Sequence, residues 1–248
     1  MTTQYEALRS AALYPAAFRV PAPQPLGEPQ MTPRKPGFFI ARSLAETPAA
    51  PEAPADPPPV PDAESAPPAP VRLLVPAQWG LVPHWAKSAA NGQLRATKLV
   101  NAKSDLVSTS TAFRDAWLAN QRCIVPMMAF IAEDWRSGKA RPTRIARVDG
   151  QPMGVAGLWA RWRDTDGTEL LSYALITVNA NAHALMNRYQ APGSEKSMPA
   201  ILNEGAYDAW LDAKAAKAKE FLRAYPAQKL LANPVEKKGS RSPSPPEP

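Results

Sequence analysis

Thr143-Arg144-Ile145-Ala146-Arg147-Val148, then Asp149-Gly150, then Met153-Gly154-Val155-Ala156-Gly157-Leu158-Trp159 is the stretch from which the fold class can be read. An Asp-Gly pair accepts left-handed backbone, so between two β-rich runs it predicts a hairpin. Asp166-Gly167 repeats the signal before the apolar run 170–178 and predicts a second. Meander connections of this kind favour antiparallel sheet. Upstream, residues 122–126 read as a short buried strand ended by Pro126, and 71–79 as another strand. Ser110 or Thr111 can cap a helix that places Phe113, Ala116 and Trp117 on one face. Phe38-Phe39-Ile40 reads as a brief buried strand, and residues 2–14 as a short helix or an extended arm. Downstream, 180–188 predicts one helix, and the Ala/Lys-rich stretch 204–224 a longer one with Tyr207, Trp210 and Leu211 at core spacing. Several strands with peripheral helices, without a regular βαβ alternation or an internal repeat, define an α+β class.

Composition bounds what can fold. Of 30 prolines in 248 residues, ten fall between Pro48 and Pro70, in a run of Pro, Ala, Glu and Asp. Such a run buries too little apolar surface to offset its ordering entropy, so residues 43–70 are expected to be a disordered insertion. Residues 231–248, basic and Ser-Pro-rich, are expected to be a disordered tail. Together these leave one domain over 1–230, interrupted by the insertion.

The single Cys123 excludes an internal disulfide framework and any cysteine-clustered zinc site, and two histidines are too few for a His-rich metal centre. No metal and no cofactor are expected. No apolar run reaches the ~18 residues that would span a bilayer, and the start MTTQYEALRS has no hydrophobic signal core. A soluble, cytoplasmic monomer is the expectation. The net charge of +7 favours a polyanionic partner, although Lys214, Lys217 and Lys219 can equally solvate a helix face.

Five segments stand in a recognisable order. They are Trp79-Gly80-Leu81-Val82-Pro83-His84-Trp85, Asn101-Ala102-Lys103, Arg122-Cys123-Ile124-Val125-Pro126, Ala156-Gly157-Leu158-Trp159 and Met198-Pro199-Ala200-Ile201-Leu202. In order and rough spacing the chain resembles the SOS-response-associated peptidase (SRAP) family of abasic-site processing proteins. The resemblance implies curled, mostly antiparallel, barrel-like sheets around a groove for single-stranded DNA. It also implies a hydrolase of peptidase type. In the family a cysteine after the initiator methionine attacks the ring-opened sugar aldehyde, and amine and thiol together close a thiazolidine that links protein to DNA.

Here that position is Thr2. Methionine removal would expose an α-amine with a pKa near 8 beside a hydroxyl. An amine suffices for a Schiff base, whereas an oxazolidine hydrolyses more readily than its sulfur counterpart. The plainer reading makes Thr2 part of a frayed terminus. Asn101 falls on the family asparagine that orients the N-terminus and the aldehyde, though it can also cap a turn. Lys103 stands where the family has arginine, keeping the charge without the bidentate fork.

Counted from Phe130, the family acid falls at Ala132. Glu133 is one residue off, which on a strand points to the opposite face unless a bulge re-aims it. The family histidine falls on Gln190 if five residues are inserted before Met198, and on Glu195 if none are; neither carries an imidazole. His183 reads as structural, and Cys123 as an inert buried thiol. Trp79, Pro83 and Trp85 resemble an aromatic wall for DNA, with at most one of the two indoles expected to touch it.

Of the four catalytic positions only the asparagine is retained. The first expectation is therefore a binder of single-stranded or abasic-site DNA in the DNA damage (SOS) response, with degenerate catalysis. The alternatives are an active enzyme working through the Thr2 amine, and an interaction protein that recruits a partner through its proline-rich insertion.

Overall fold

A computed structural model describes residues 2–44 and 71–235; the proline-rich segment from 45 and the tail from 236 lie outside the described residues. The chain opens with β1 (Tyr5–Glu6), a π-helical turn (Tyr14–Phe18), β2 (Gln30–Met31) and β3 (Pro36–Ala41). It continues through β4 (Leu73–Trp79), α1 (Ala89–Ala96), β5 (Asn101–Lys103), α2 (Arg114–Leu118), β6 (Arg122–Met127), β7 (Ala129–Asp134) and β8 (Arg141–Arg147). The second half holds β9 (Met153–Arg163), β10 (Glu169–Asn179), β11 (Ser197–Pro199), α3 (Tyr207–Asp212), α4 (Ala215–Ala218) and β12 (Leu230–Pro234).

The strands form two sheets. One is antiparallel in the order β12-β8-β7-β1-β2. The other runs β10-β4-β3-β6-β9 and closes on itself, because β9 also pairs with β10 from Glu169 opposite Arg163 to Leu175 opposite Gly157. Closure leaves no open edge among these five strands. The sheet is mixed, since β4 and β5 run parallel to β10. The architecture is α+β.

The barrel interior explains the apolar runs. Phe39 stacks on Trp159 with centroids 6.0 Å apart and meets Tyr173 edge-on at the same distance. The Tyr5 and Tyr173 hydroxyls lie 2.6 Å apart, which ties the short β1 to the barrel strand β10. Burial pushes both phenols up, so both stay protonated. Cys123 is fully buried, and desolvation raises its thiol well above the ordinary value, so it is unavailable as a nucleophile. Arg122 is also buried, its guanidinium 5.1 Å from the Trp117 ring and 5.7 Å from that of Trp210. Desolvation lowers its pKa to about 10, which still leaves it charged at neutral pH.

Several local expectations yield to tertiary packing. Asp149-Gly150 makes a turn, with Gly150 at φ 71°, but the strands it joins go to different sheets. Residues 153–160 are buried on both faces and need barrel neighbours on each side, whereas β8 is only partly buried. Asp166-Gly167 does join a hairpin, β9 to β10. Neither Ser110 nor Thr111 caps α2, whose N-cap is Phe113, and β6 runs through Pro126 to Met127. Of the two readings of residues 2–14, the extended arm holds for 2–10, and 11–14 turn into the π-helical segment Tyr14–Phe18.

The helix expected over 180–188 reduces to one 3-10 turn, Met186–Arg188. Local side-chain bonds displace it: His183 Nδ1 accepts from the Leu185 and Met186 amides at 3.2 and 2.9 Å. His183 Nε2–H then donates to the Tyr225 carbonyl at 2.7 Å. The long helix over 204–224 breaks at Ala213 and Lys214, both extended. The Trp210 and Phe221 rings lie 6.1 Å apart, while eleven residues of continuous helix would separate them by about 16 Å. β12 carries regular structure past residue 230, where composition alone ends the domain.

One polar cluster fixes α3 to the barrel. Arg72 grips Asp208 with two bonds of 2.9 and 2.8 Å and donates to the Phe18 carbonyl, and Arg42 adds a bond of 2.9 Å to Asp208. Hydrogen bonding from Arg72, aided by Arg42, holds the Asp208 carboxyl at about 2. A carboxyl depressed by folding contributes its full stability above the unfolded value near 3.9, and that contribution disappears as pH falls through about 2. Asp208→Asn should therefore lower stability at pH 7, leave Arg72 buried without its carboxylate, and flatten the loss of stability between pH 4 and pH 2. Urea denaturation across that range reads the slope; parallel curves for variant and parent would refute the assignment.

Candidate nucleic-acid site

β5 is the element around which the site is built. It pairs with β10 just beyond the stretch that pairs with β4, with Asn101 opposite Leu175 and Lys103 opposite Thr177. The strand period of 2 puts Asn101 and Lys103 on one face. Asn101 is buried, and its Nδ2 donates to the Thr2 carbonyl at 2.7 Å, across 99 residues of sequence. A backbone carbonyl only accepts, so this bond fixes the amide's orientation. Asn101 Oδ1 is consequently left buried without a hydrogen-bond partner among the described residues. An unmet acceptor of this kind costs about 1–3 kcal/mol, and a donor supplied by a ligand would recover it.

Thr2 is itself buried. It is led there by β1, where Tyr5 pairs with Phe130 of β7, and by the Ile131 amide, which donates to the Gln4 carbonyl at 2.9 Å. On β7, Ala132 is buried while Glu133 is exposed and accepts from Trp135 Nε1 at 3.2 Å. Alternation thus leaves an alanine methyl on the inward side and turns Glu133 outward. The next carboxylate, Asp134, is bound by Arg136, which holds its pKa below the ordinary range.

Gln190 reaches the same neighbourhood through its backbone. Its amide donates to the Glu133 carbonyl at 2.7 Å, and its φ of 71° is left-handed. Its side-chain amide donates to Ser197, on β11 beside β10. Lys103 Nζ contacts Glu195, whose other oxygen accepts from Asn179 Nδ2 at 3.1 Å. That hydrogen bond raises the lysine pKa and lowers the carboxylate. The structure therefore joins Thr2 to Asn101 directly and the Gln190 backbone to Glu133, next to Ala132, while Lys103 pairs with Glu195.

The tryptophans divide. Trp79 is wholly buried, donates Nε1–H to the Val100 carbonyl at 3.2 Å and meets Tyr5 edge-on at 4.9 Å. It has no face to offer a base, which corrects its inclusion in an aromatic wall. Gly80 turns the chain out of β4 at φ 112°, and a Cβ there would stand 2.5 Å from the Ala96 carbonyl oxygen, so glycine is required. Past that turn Trp85 is 39% exposed. With Pro83 it lines a cleft of about 470 Å³ that also involves Leu81, Asp115 and Arg161. Arg95 lies 5.0 Å from the Trp85 ring.

Among the described residues no group of three or more His, Cys, Asp or Glu could hold a metal ion, and no helix is long and apolar enough to cross a membrane. Sequence reasoning missed Ser197 and Asn179. Their signal is weak, because a Ser and an Asn become site neighbours only once β11 pairs with β10.

The barrel closed through β9 and β10 thus stands beside a buried Asn101 bonded to the Thr2 carbonyl. The chain belongs to the SOS response associated peptidase (SRAP) family, whose model matches residues 35–241. It is 30% identical over 138 residues to the abasic site processing protein YoqW of Bacillus subtilis, covering 55% of this chain and 56% of that one. To the abasic site processing protein HMCES of Gallus gallus it is 26% identical over 185 residues, covering 66% and 53%. The chain thus spans about half the length of the curated relatives it matches. A crystal structure of a protein from Bordetella bronchiseptica, 34% identical, superposes with a TM-score of 0.77 over 95% of this chain and 100% of that one.

Proposed function

We propose that this chain binds single-stranded DNA carrying an abasic site, as part of a DNA damage response, with Thr2 at the floor of the site and degenerate catalysis. The observation that carries the reading is the buried bond from Asn101 to the Thr2 carbonyl. It draws the start of the chain into the site and leaves one acceptor, Asn101 Oδ1, for a ligand donor. The relatives' names bring the abasic site to this reading. Degeneracy follows from the side chains: Thr2 lacks sulfur, Ala132 carries no acid, and the Gln190 amide is occupied by Ser197. A durable crosslink is not expected. Lys103 and the overall charge of +7 supply the attraction for phosphate.

Affinity for a 15-mer should fall with salt by roughly 0.7 log unit per log unit for each phosphate neutralised, and Lys103→Glu should weaken binding and reduce that slope by about one such step. Fluorescence anisotropy at low salt checks both. Absence of binding by the parent protein would overturn the reading.

A second reading rests on the same geometry. Once Met1 is removed, Thr2 would offer a primary amine beside Asn101, and a primary amine adds reversibly to an aldehyde. On this reading the protein keeps imine chemistry while lacking the sulfur that would make the adduct permanent. Recruitment of a partner through the proline-rich insertion concerns residues outside those described.

A further inference from the structure

The loop between Gln190 and β11 places a carboxylate on Lys103. Glu195 follows the turn 191–194, two residues before β11. One carboxylate oxygen contacts Lys103 Nζ, and the other accepts from Asn179 Nδ2 at 3.1 Å. The loop holds itself in place. Ser194 Oγ donates to the Ala191 carbonyl at 2.6 Å, and Lys196 Nζ donates to the Gln190 and Ala191 carbonyls at 3.1 and 2.7 Å. The Lys196 amide is anchored to Asn181 Oδ1 at 2.8 Å. Glu195 is therefore presented from a braced turn, two bonds deep, to the cation that shares a strand face with Asn101.

Resting on the DNA-binding reading above, we propose that Glu195 is an affinity-setting residue: its carboxylate occupies the phosphate position at Lys103 and Asn179, and DNA must displace it to bind. The chemistry of the exchange is balanced and non-covalent. One carboxylate leaves an ammonium and an amide N–H, and one phosphodiester oxygen pair takes both donors. The Lys103 and Glu195 side chains are 31% and 41% exposed, so the pair sits in high dielectric and is strongly screened. Displacement is correspondingly cheap, an obstacle of about fivefold rather than a block. A freed Glu195 nevertheless stays beside the incoming phosphate and repels it. Both effects disappear when the carboxylate becomes an amide.

The test is a set of anisotropy titrations at low salt with a single-stranded 15-mer containing an abasic-site analogue. It compares the parent protein with Glu195→Gln, Lys103→Ala, the double variant, and Glu220→Gln as an exposed acid elsewhere with the same charge change. Glu195→Gln should bind about three- to tenfold more tightly, Glu220→Gln less than twofold, and the gain should shrink to under twofold when Lys103 is already alanine. The salt slope of Glu195→Gln should match the parent's, because Lys103 neutralises the same phosphate in both. Binding by the parent with no gain in Glu195→Gln overturns the proposal and leaves the DNA-binding reading intact. So does an equal gain in Glu220→Gln or in the Lys103→Ala background, which would mark a general charge effect. If the parent does not bind, the DNA-binding reading fails and this one falls with it.

Discussion

Sodium borohydride should trap a covalent adduct between this protein and an oligonucleotide carrying an abasic site, and blocking the N-terminus should abolish it. The bond formed joins the Thr2 nitrogen to the sugar aldehyde carbon. Water leaves to give the imine, and hydride from borohydride reduces it to a secondary amine. Only a neutral amine adds to a carbonyl; an α-amine with a pKa near 8 is roughly a fifth to a third neutral at pH 7.4. Trapping should therefore rise between pH 6.5 and 8.5, through the range in which that amine loses its proton. Without borohydride the adduct should not survive heating in denaturant, because there is no thiol to close a stable ring. Surface lysines can yield the same reduced adduct, so the comparison is between the free amine and an acetylated or extended N-terminus. The blocked protein should lose at least tenfold in trapping while its DNA affinity changes less than about threefold. Equal trapping by both forms would remove Thr2 from the chemistry, and a heat-stable band without borohydride would contradict degenerate catalysis.

The two tryptophans of one motif should respond oppositely to truncation. Trp79→Ala empties a fully buried site and orphans the Val100 carbonyl, a change that costs about 3–5 kcal/mol for the ring alone. Against a total of about 5–15 kcal/mol, that is about a fifth of the stability or more. Trp85→Ala removes a ring that is 39% exposed, donates to the Thr111 carbonyl and lies 5.0 Å from the Arg95 guanidinium. Its stability loss should stay within about 1.5 kcal/mol. Loss of one stacking face should instead weaken single-strand binding by about 1–3 kcal/mol. Urea denaturation and anisotropy on both variants separate the two effects. Unchanged DNA affinity in Trp85→Ala would place the DNA elsewhere on the surface. Comparable unfolding midpoints for Trp79→Ala and the parent would contradict the packing described for the core.

Where each residue sits in the fold explains why these predictions differ in kind. Asn101 and Lys103 could be paired on one face from their spacing alone, because the strand period is set by backbone geometry. The opposition of Ala132 and Glu133 is legible for the same reason. Nothing local links Asn101 to Thr2, 99 residues away, or Lys103 to Glu195, 92 residues away. The first depends on β1 pairing with β7 and the second on how β5, β10 and β11 pair, and pairing partners are chosen by the whole fold.

Sequence by itself determined the α+β class, the strand-forming runs, the Asp166-Gly167 hairpin and the order of the five motif segments, since periodicity and turn chemistry act within a few residues. Only the tertiary structure decided that Asp149-Gly150 joins two sheets, because β9 is buried on both faces and needed partners other than β8. It also decided that residues 204–224 break into short helices, because Trp210 and Phe221 pack together at a distance no continuous helix allows. And it decided which tryptophan is core: Trp79 and Trp85 look alike in the motif, but Gly80 turns the chain between them, leaving one ring inside the barrel and the other on the surface.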